Sequence, residues 1–176
     1  MKNLHVKKLI RSISERQPVL LIGNWDEGIK ENILKNQNSI YQIENYSDLA
    51  NVESNSCTRL VCKYNEQFFS GDEIFKQFRD KLLPTGKLII TAFHEKTFFQ
   101  KIFKSKINFP KDITPIKPKL LQDKIHDNGF LIEGYYGYTE NHLIMIAEIQ
   151  NKEVSTLFNS KDQSTIKNIP SINPTS

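Results

Sequence analysis

Cysteine is scarce in this 176-residue chain, and Cys57 and Cys62 are its only two. Two thiols five positions apart build no disulfide framework and match no common zinc spacing. A thiolate-held iron–sulfur cluster needs more ligands than the chain owns. The four histidines, His5, His94, His126 and His142, are scattered at no metal-ligand spacing. No apolar run approaches the roughly 18 residues that a membrane span requires. The lysine-bearing start also lacks the apolar segment of a secretory signal. These absences predict no metal site, no membrane span and a place in the cytosol or nucleus, with the cytoplasm preferred.

What is present fits one α/β domain. The length suits a single core and is too short for two domains of ordinary size. A net charge of +4 and a pI near 8.9 make the chain mildly basic, which alone is a weak pointer to nucleic acid. Leu4, Leu9, Ile10 and Ile13 fall near helical spacing and predict a short amphipathic helix that Pro18 ends. Val19-Leu20-Leu21-Ile22-Gly23 reads as a strand buried on both faces and stopped by a turn glycine. A helix over Asp26 to Lys35 and a strand over Ser39 to Glu44 follow, then a polar loop to Ser56. Thr58 to Cys62 is a third strand, with Cys62 in the core and Cys57 exposed in the loop before it. Asp72 to Leu83 is a helix with Ile74, Phe75, Phe78 and Leu82 on one face, and Pro84-Thr85-Gly86 turns the chain into a strand over Lys87 to Phe93. Leu120 to Asn128 is a helix capped by a left-handed Gly129. Phe130 to Tyr138 and His142 to Gln150 form an antiparallel hairpin around Thr139-Glu140-Asn141. The predicted domain spans 1–151, and 152–176 has the Ser, Asn, Thr, Lys and Pro composition of a flexible tail.

Strand–helix alternation that closes on a hairpin resembles the class I S-adenosylmethionine-dependent methyltransferases. Val19 to Gly23 looks like their first strand and the start of the cofactor loop. Lys81-Leu82-Leu83-Pro84-Thr85-Gly86-Lys87-Leu88-Ile89-Ile90 is similar to their proline-glycine turn and following strand, and Asn128-Gly129-Phe130 to their last strand pair. The resemblance implies a reduced Rossmann-like fold, mostly parallel, with an antiparallel C-terminal hairpin. It also implies that Gly23, Asn24 and Trp25 would lie along S-adenosylmethionine, with Glu44 accepting hydrogen bonds from its ribose. Trp25 and Glu27 stand where that family carries glycine, and one strand–helix unit is missing. The spacing leaves open whether Ser39 to Glu44 matches the family's second or third strand. Trp25 reads as a packing residue or a partner-facing aromatic rather than a cofactor contact, since its bulk would intrude on the cofactor. No nucleophile, base and orienter fall into a set, so no catalytic residue is assigned.

The eroded glycine loop, the short path from Gly23 to Arg59 and the polar tail also resemble the N-terminal domain of the anamorsin family of cytosolic iron–sulfur assembly factors. That resemblance implies a non-catalytic, methyltransferase-like interaction domain without a cofactor. The alternative is a small active methyltransferase using S-adenosylmethionine. A basic stretch holds Lys101, Lys104, Lys106, Lys111, Lys117 and Lys119 against the single acid Asp112, interleaved with Phe98, Phe99, Phe103 and Phe109. It predicts a surface for an acidic protein partner rather than RNA, since no aromatic stacking platform on strands accompanies it. His94, just after the strand ending at Phe93, is a candidate to line a cleft at that strand's carboxyl end.

Overall fold

Three apolar runs with no polar side to present to water have to form the centre of a covered sheet. The computed structural model describes residues 17–35, 40–95, 114–137 and 142–150, and within them these runs lie inside β1 (Val19–Ile22), β3 (Cys57–Lys63) and β4 (Leu82–Phe93). β2 (Ile40–Ile43) lies beside β1, while β5 (Phe130–Gly137) and β6 (His142–Ile149) complete a six-stranded sheet of order β2-β1-β3-β4-β6-β5. β6 alone runs against the rest, pairing antiparallel with both β4 and β5. The fold is therefore the mixed, mostly parallel α/β sheet that the element order predicts. The pairing of β2 directly with β1, Val19 opposite Ile40, makes it the strand next to the first. Its place in the order is thereby fixed, and among the described residues β2 is one edge of the sheet and β5 the other.

Alternation along the strands divides the core in two. Leu20, Ile22, Leu60, Cys62, Leu88 and Ile90 point to one face, and Val19, Leu21, Val61 and Ile89 to the other. The first face is covered by a 3-10 helix (Tyr46–Asn51), α2 (Glu66–Phe69), α3 (Glu73–Lys81) and α4 (Pro118–Asp127). α1 (Glu27–Leu34) covers the second through Ile29 and Ile33. Phe69 is the hub of the larger core, with ring centroids 5.1 Å from Tyr64, 5.4 Å from Phe75, 5.8 Å from Phe78 and 6.0 Å from Tyr46.

Several expectations need correction. The loop assigned to residues 45–56 contains the 3-10 helix, and a helix of four residues, too short to show periodicity, follows β3. α3 ends at Lys81, two residues before Leu83. Pro84-Thr85-Gly86 is no turn between elements. Cys57 pairs with Leu82 and Arg59 already pairs with Lys87, so Leu83 to Gly86 swell out of one long strand, with Pro84 and Thr85 exposed. Gly129 has φ +78°, the left-handed cap expected after α4. The helix expected over Leu4 to Ile13, the hairpin turn over 139–141 and the tail beyond 151 lie outside the described residues. No helix among the described residues is long and apolar enough to cross a membrane.

Cys57 is also corrected. Instead of sitting exposed in a loop it opens β3, fully buried, with its Sγ donating to the Lys81 carbonyl at 3.4 Å. Burial pushes its thiol up to about 12 and raises that of buried Cys62 as well. Both thiols therefore stay neutral and shielded in the folded protein. Native protein is expected not to react with an aromatic disulfide reagent at pH 8, and two thiols should appear on unfolding; rapid reaction of either in the native state would contradict the burial. Because folding raises these pKa values, the stability they carry is complete below about pH 8.5, the unfolded thiol value. It is lost as pH rises from there towards about 12, the folded value for Cys57.

Candidate functional site

The connection after β1 runs to β2 on one side and the connection after β3 runs to β4 on the other, so the loops at the carboxyl ends of these two paired strands part in opposite directions. Open α/β sheets form their ligand crevice at such a point. Here the crevice is a cleft of about 700 Å³. Its floor is the loop after β1, its sides come from the ends of β2, β3 and β4, and the start of β6 closes one end.

Gly23 leaves β1 at φ +99°, a backbone region that suits glycine, and its N–H donates to the Ile43 carbonyl at 2.9 Å. A Cβ at Gly23 would meet nothing within 4 Å, so the loop there faces open cleft. Asn24 is exposed at the same place. Trp25 then turns inward. It is 4% exposed, its Nε1–H donates to the Ile22 carbonyl at 3.1 Å, and its ring packs among Val19, Leu21, Ile33 and Val61. The bulk that could have filled a ligand's place is spent on the second core, and Trp25 is a packing residue at the cleft floor. Asp26 caps α1, its carboxylate accepting from the Gly28 N–H at 2.9 Å.

Glu44 stands exposed at the end of β2, on the cleft's rim. Tyr46, from the 3-10 helix, stacks on Phe68 with centroids 4.7 Å apart, and its hydroxyl donates to the Lys63 carbonyl. Burial holds that phenol far above its ordinary range, so it stays protonated. Lys63, the last residue of β3, places its ammonium 5.0 Å from the centre of the Trp25 ring and donates to the Asn24 carbonyl. Desolvation lowers its pKa, and the carboxylate of Asp26 works against that. At the far end Phe93 and His142 meet with ring centroids 4.1 Å apart.

The structure thus brings Gly23, Asn24, Trp25 and Glu44 to one cleft. His94 is not among the residues lining it, contrary to expectation. It forms an isolated parallel bridge to Ile116, and its Nδ1 lies 2.8 Å from the Glu95 carbonyl oxygen. Of the six lysines expected to dock a partner, Lys101, Lys104, Lys106 and Lys111 lie outside the described residues. Lys117 precedes α4, and Lys119 pairs with Asp123 of the same helix at 2.7 Å. Sequence reasoning missed Lys63, Tyr46, Phe68 and His142. Among the described residues no group of three His, Cys, Asp or Glu side chains could hold a metal.

Solved structures share this architecture. An S-adenosylmethionine-dependent methyltransferase from Aquifex aeolicus is similar at 11% identity and TM-score 0.59, over 82% of this chain and 89% of that one. The fold is that of the S-adenosylmethionine-dependent methyltransferases. The Burkholderia thailandensis 1,6-didemethyltoxoflavin-N1-methyltransferase, solved with 1,6-didemethyltoxoflavin and S-adenosylhomocysteine bound, matches this methyltransferase fold at TM-score 0.60 and 10% identity over 83% and 76% of the two chains. A chain of a Haloferax volcanii complex that contains the Trm112 methyltransferase activator matches at TM-score 0.60 and 9% identity over 84% and 90%. No protein-family model and no curated protein matches the sequence. At these identities the likeness establishes the methyltransferase fold and leaves activity to the site itself.

Proposed function

We propose that the cleft binds S-adenosylmethionine or its demethylated product, and that the chain is a small methyltransferase with an atypical cofactor loop. The observation that carries this reading is the placement of Trp25. Its ring is buried beneath the loop, so Gly23 and Asn24 face open space. The glycine-poor loop therefore offers the close backbone approach that a nucleoside ligand needs.

In this reading Gly23 and Asn24 lie along the ligand, and the Glu44 carboxylate accepts hydrogen bonds from the ribose hydroxyls. Bound S-adenosylmethionine supplies an electrophilic methyl group. The protein's part is then to bind and orient two reactants and to exclude water, which requires no covalent nucleophile. The aromatic walls from Tyr46 and Phe68 on one side and Phe93 on the other suit apolar and planar surfaces. A non-catalytic docking role in iron–sulfur protein assembly draws on the same fold. No observation within the described residues adds to it, and the solved structures described above are methyltransferases and one complex with an activator.

Replacing Glu44 with alanine tests the assignment. A charge-assisted hydrogen bond to each of two hydroxyls predicts a loss of about 10- to 100-fold in affinity for S-adenosylhomocysteine by calorimetry, with the melting temperature unchanged because the side chain is exposed. Equal affinity in the two proteins would remove Glu44 from the site.

A further inference from the structure

We propose that Lys63 is the anion anchor of the cleft, reading the carboxylate at the amino-acid end of the ligand and so selecting an adenosyl amino acid over an adenosyl thioether that lacks one; this rests on the adenosyl reading of the cleft given above. Among the described residues lining the cleft Lys63 is the only lysine or arginine, while Asp26 and Glu44 supply the carboxylates. The two acids are not equivalent. Asp26 is occupied in capping α1 through the Gly28 N–H, whereas Glu44 lies across the cleft at the end of the neighbouring β2.

The ammonium is also held in place. Its stem rises from the last residue of β3, its charge lies over the Trp25 ring, and one of its protons goes to the Asn24 carbonyl. An ammonium has three donors, so two remain for a ligand. Among the described residues no carboxylate lies within ion-pair distance of Lys63, and Asp26 attracts it only from farther off. A cation fixed beside the loop after β1, with donors to spare, favours an anionic group at that end of a ligand whose hydroxyl donors face Glu44. The cleft therefore has polarity along its length, a carboxylate at the β2 end for hydroxyls and an ammonium at the β3 end for a carboxylate.

The test compares two probes, S-adenosylhomocysteine and 5′-methylthioadenosine, by calorimetry on the full chain and on the variants Lys63→Met and Lys63→Arg. Methionine keeps the apolar stem over Trp25 without the charge, and circular dichroism melts verify folding. Loss of one charge-assisted contact predicts about 10- to 100-fold weaker S-adenosylhomocysteine binding in Lys63→Met. Binding of 5′-methylthioadenosine should change by less than about threefold, because no charged contact to it is lost, and Lys63→Arg should restore most of the discrimination. Equal weakening of both probes would overturn the proposal, assigning Lys63 to the loop's architecture. Unchanged binding of S-adenosylhomocysteine in Lys63→Met would overturn it too. If wild-type protein binds neither probe, the adenosyl reading itself falls and this one with it.

Discussion

Gly23→Val is expected to abolish detectable binding of S-adenosylhomocysteine, a loss of more than about 100-fold, for two reasons that add. Valine disfavours a φ of +99°, and holding a β-branched residue in a sparsely populated backbone region costs about 1–3 kcal/mol. The loop relieves that strain by moving. Its N–H then leaves the Ile43 carbonyl, and with it goes the alignment of Asn24 with the end of β2. The added methyl groups also project into space that is open cleft now, since nothing lies within 4 Å of a Cβ there. Stability and binding are therefore hit together, and the two are separated by measuring the melt and the titration on the same sample. A folded Gly23→Val protein that binds as wild type would remove the loop from the ligand site.

The largest effect on stability is expected at Phe69. Although α2 has only four residues, this side chain is fully buried and touches rings from α3, from the 3-10 helix and from Tyr64 after β3. Truncating it to alanine leaves a void that aromatic neighbours on three sides cannot collapse to fill, and Phe→Ala in such a setting costs about 3–5 kcal/mol. For a chain of this size that corresponds to a fall of roughly 6–20 °C in melting temperature. Phe68, half-buried on the cleft side and stacked on Tyr46, is the control: Phe68→Ala should cost less stability and weaken ligand binding more. Thermal melts of the two variants decide the point, and equal losses would mean that the cleft wall and the core hub are not distinct.

The centre of the sheet was the part most legible in the sequence. Val19 to Ile22, Leu60 to Cys62 and Leu88 to Ile90 are apolar without alternation, which leaves a covered parallel strand as the economical outcome. Each is found in the sheet. The elements that were misread are those decided by tertiary partners. Pro84 and Gly86 carry a strong turn signal, yet β3 captures the chain on both sides of them, at Leu82 and at Lys87, and draws the signal into a bulge. Cys57 follows the polar pair Asn55-Ser56 and looked exposed for that reason. The Lys81 carbonyl at the end of α3 accepts hydrogen bonds from both the Cys57 thiol and the Ser56 N–H, which fixes that corner under the helix end.

The site was half legible, for a related reason. Gly23, Asn24, Trp25 and Glu44 sit next to strand ends that the sequence reveals, and strand ends form the crevice. The direction of the Trp25 ring was not readable, because its pocket is assembled from β1, β3 and α1, which are separated in sequence. His142 arrives at the cleft only because β6 runs antiparallel to β4 and begins opposite Phe93. Lys63 carries no motif of its own. Its importance comes from its place over the Trp25 ring and beside the Asn24 carbonyl, where it is the one ammonium among the described residues.

The most direct test of the adenosyl-ligand cleft is calorimetric titration of the purified, folded chain with S-adenosylmethionine and with S-adenosylhomocysteine. An open loop at Gly23, a carboxylate at the end of β2 and a fixed ammonium at the end of β3 predict saturable one-to-one binding of at least one of them, with a dissociation constant on the order of micromolar, about −8 kcal/mol. Absence of heat at millimolar ligand, from a sample whose melt shows it folded, would contradict the account and leave the cleft as a relic of the fold.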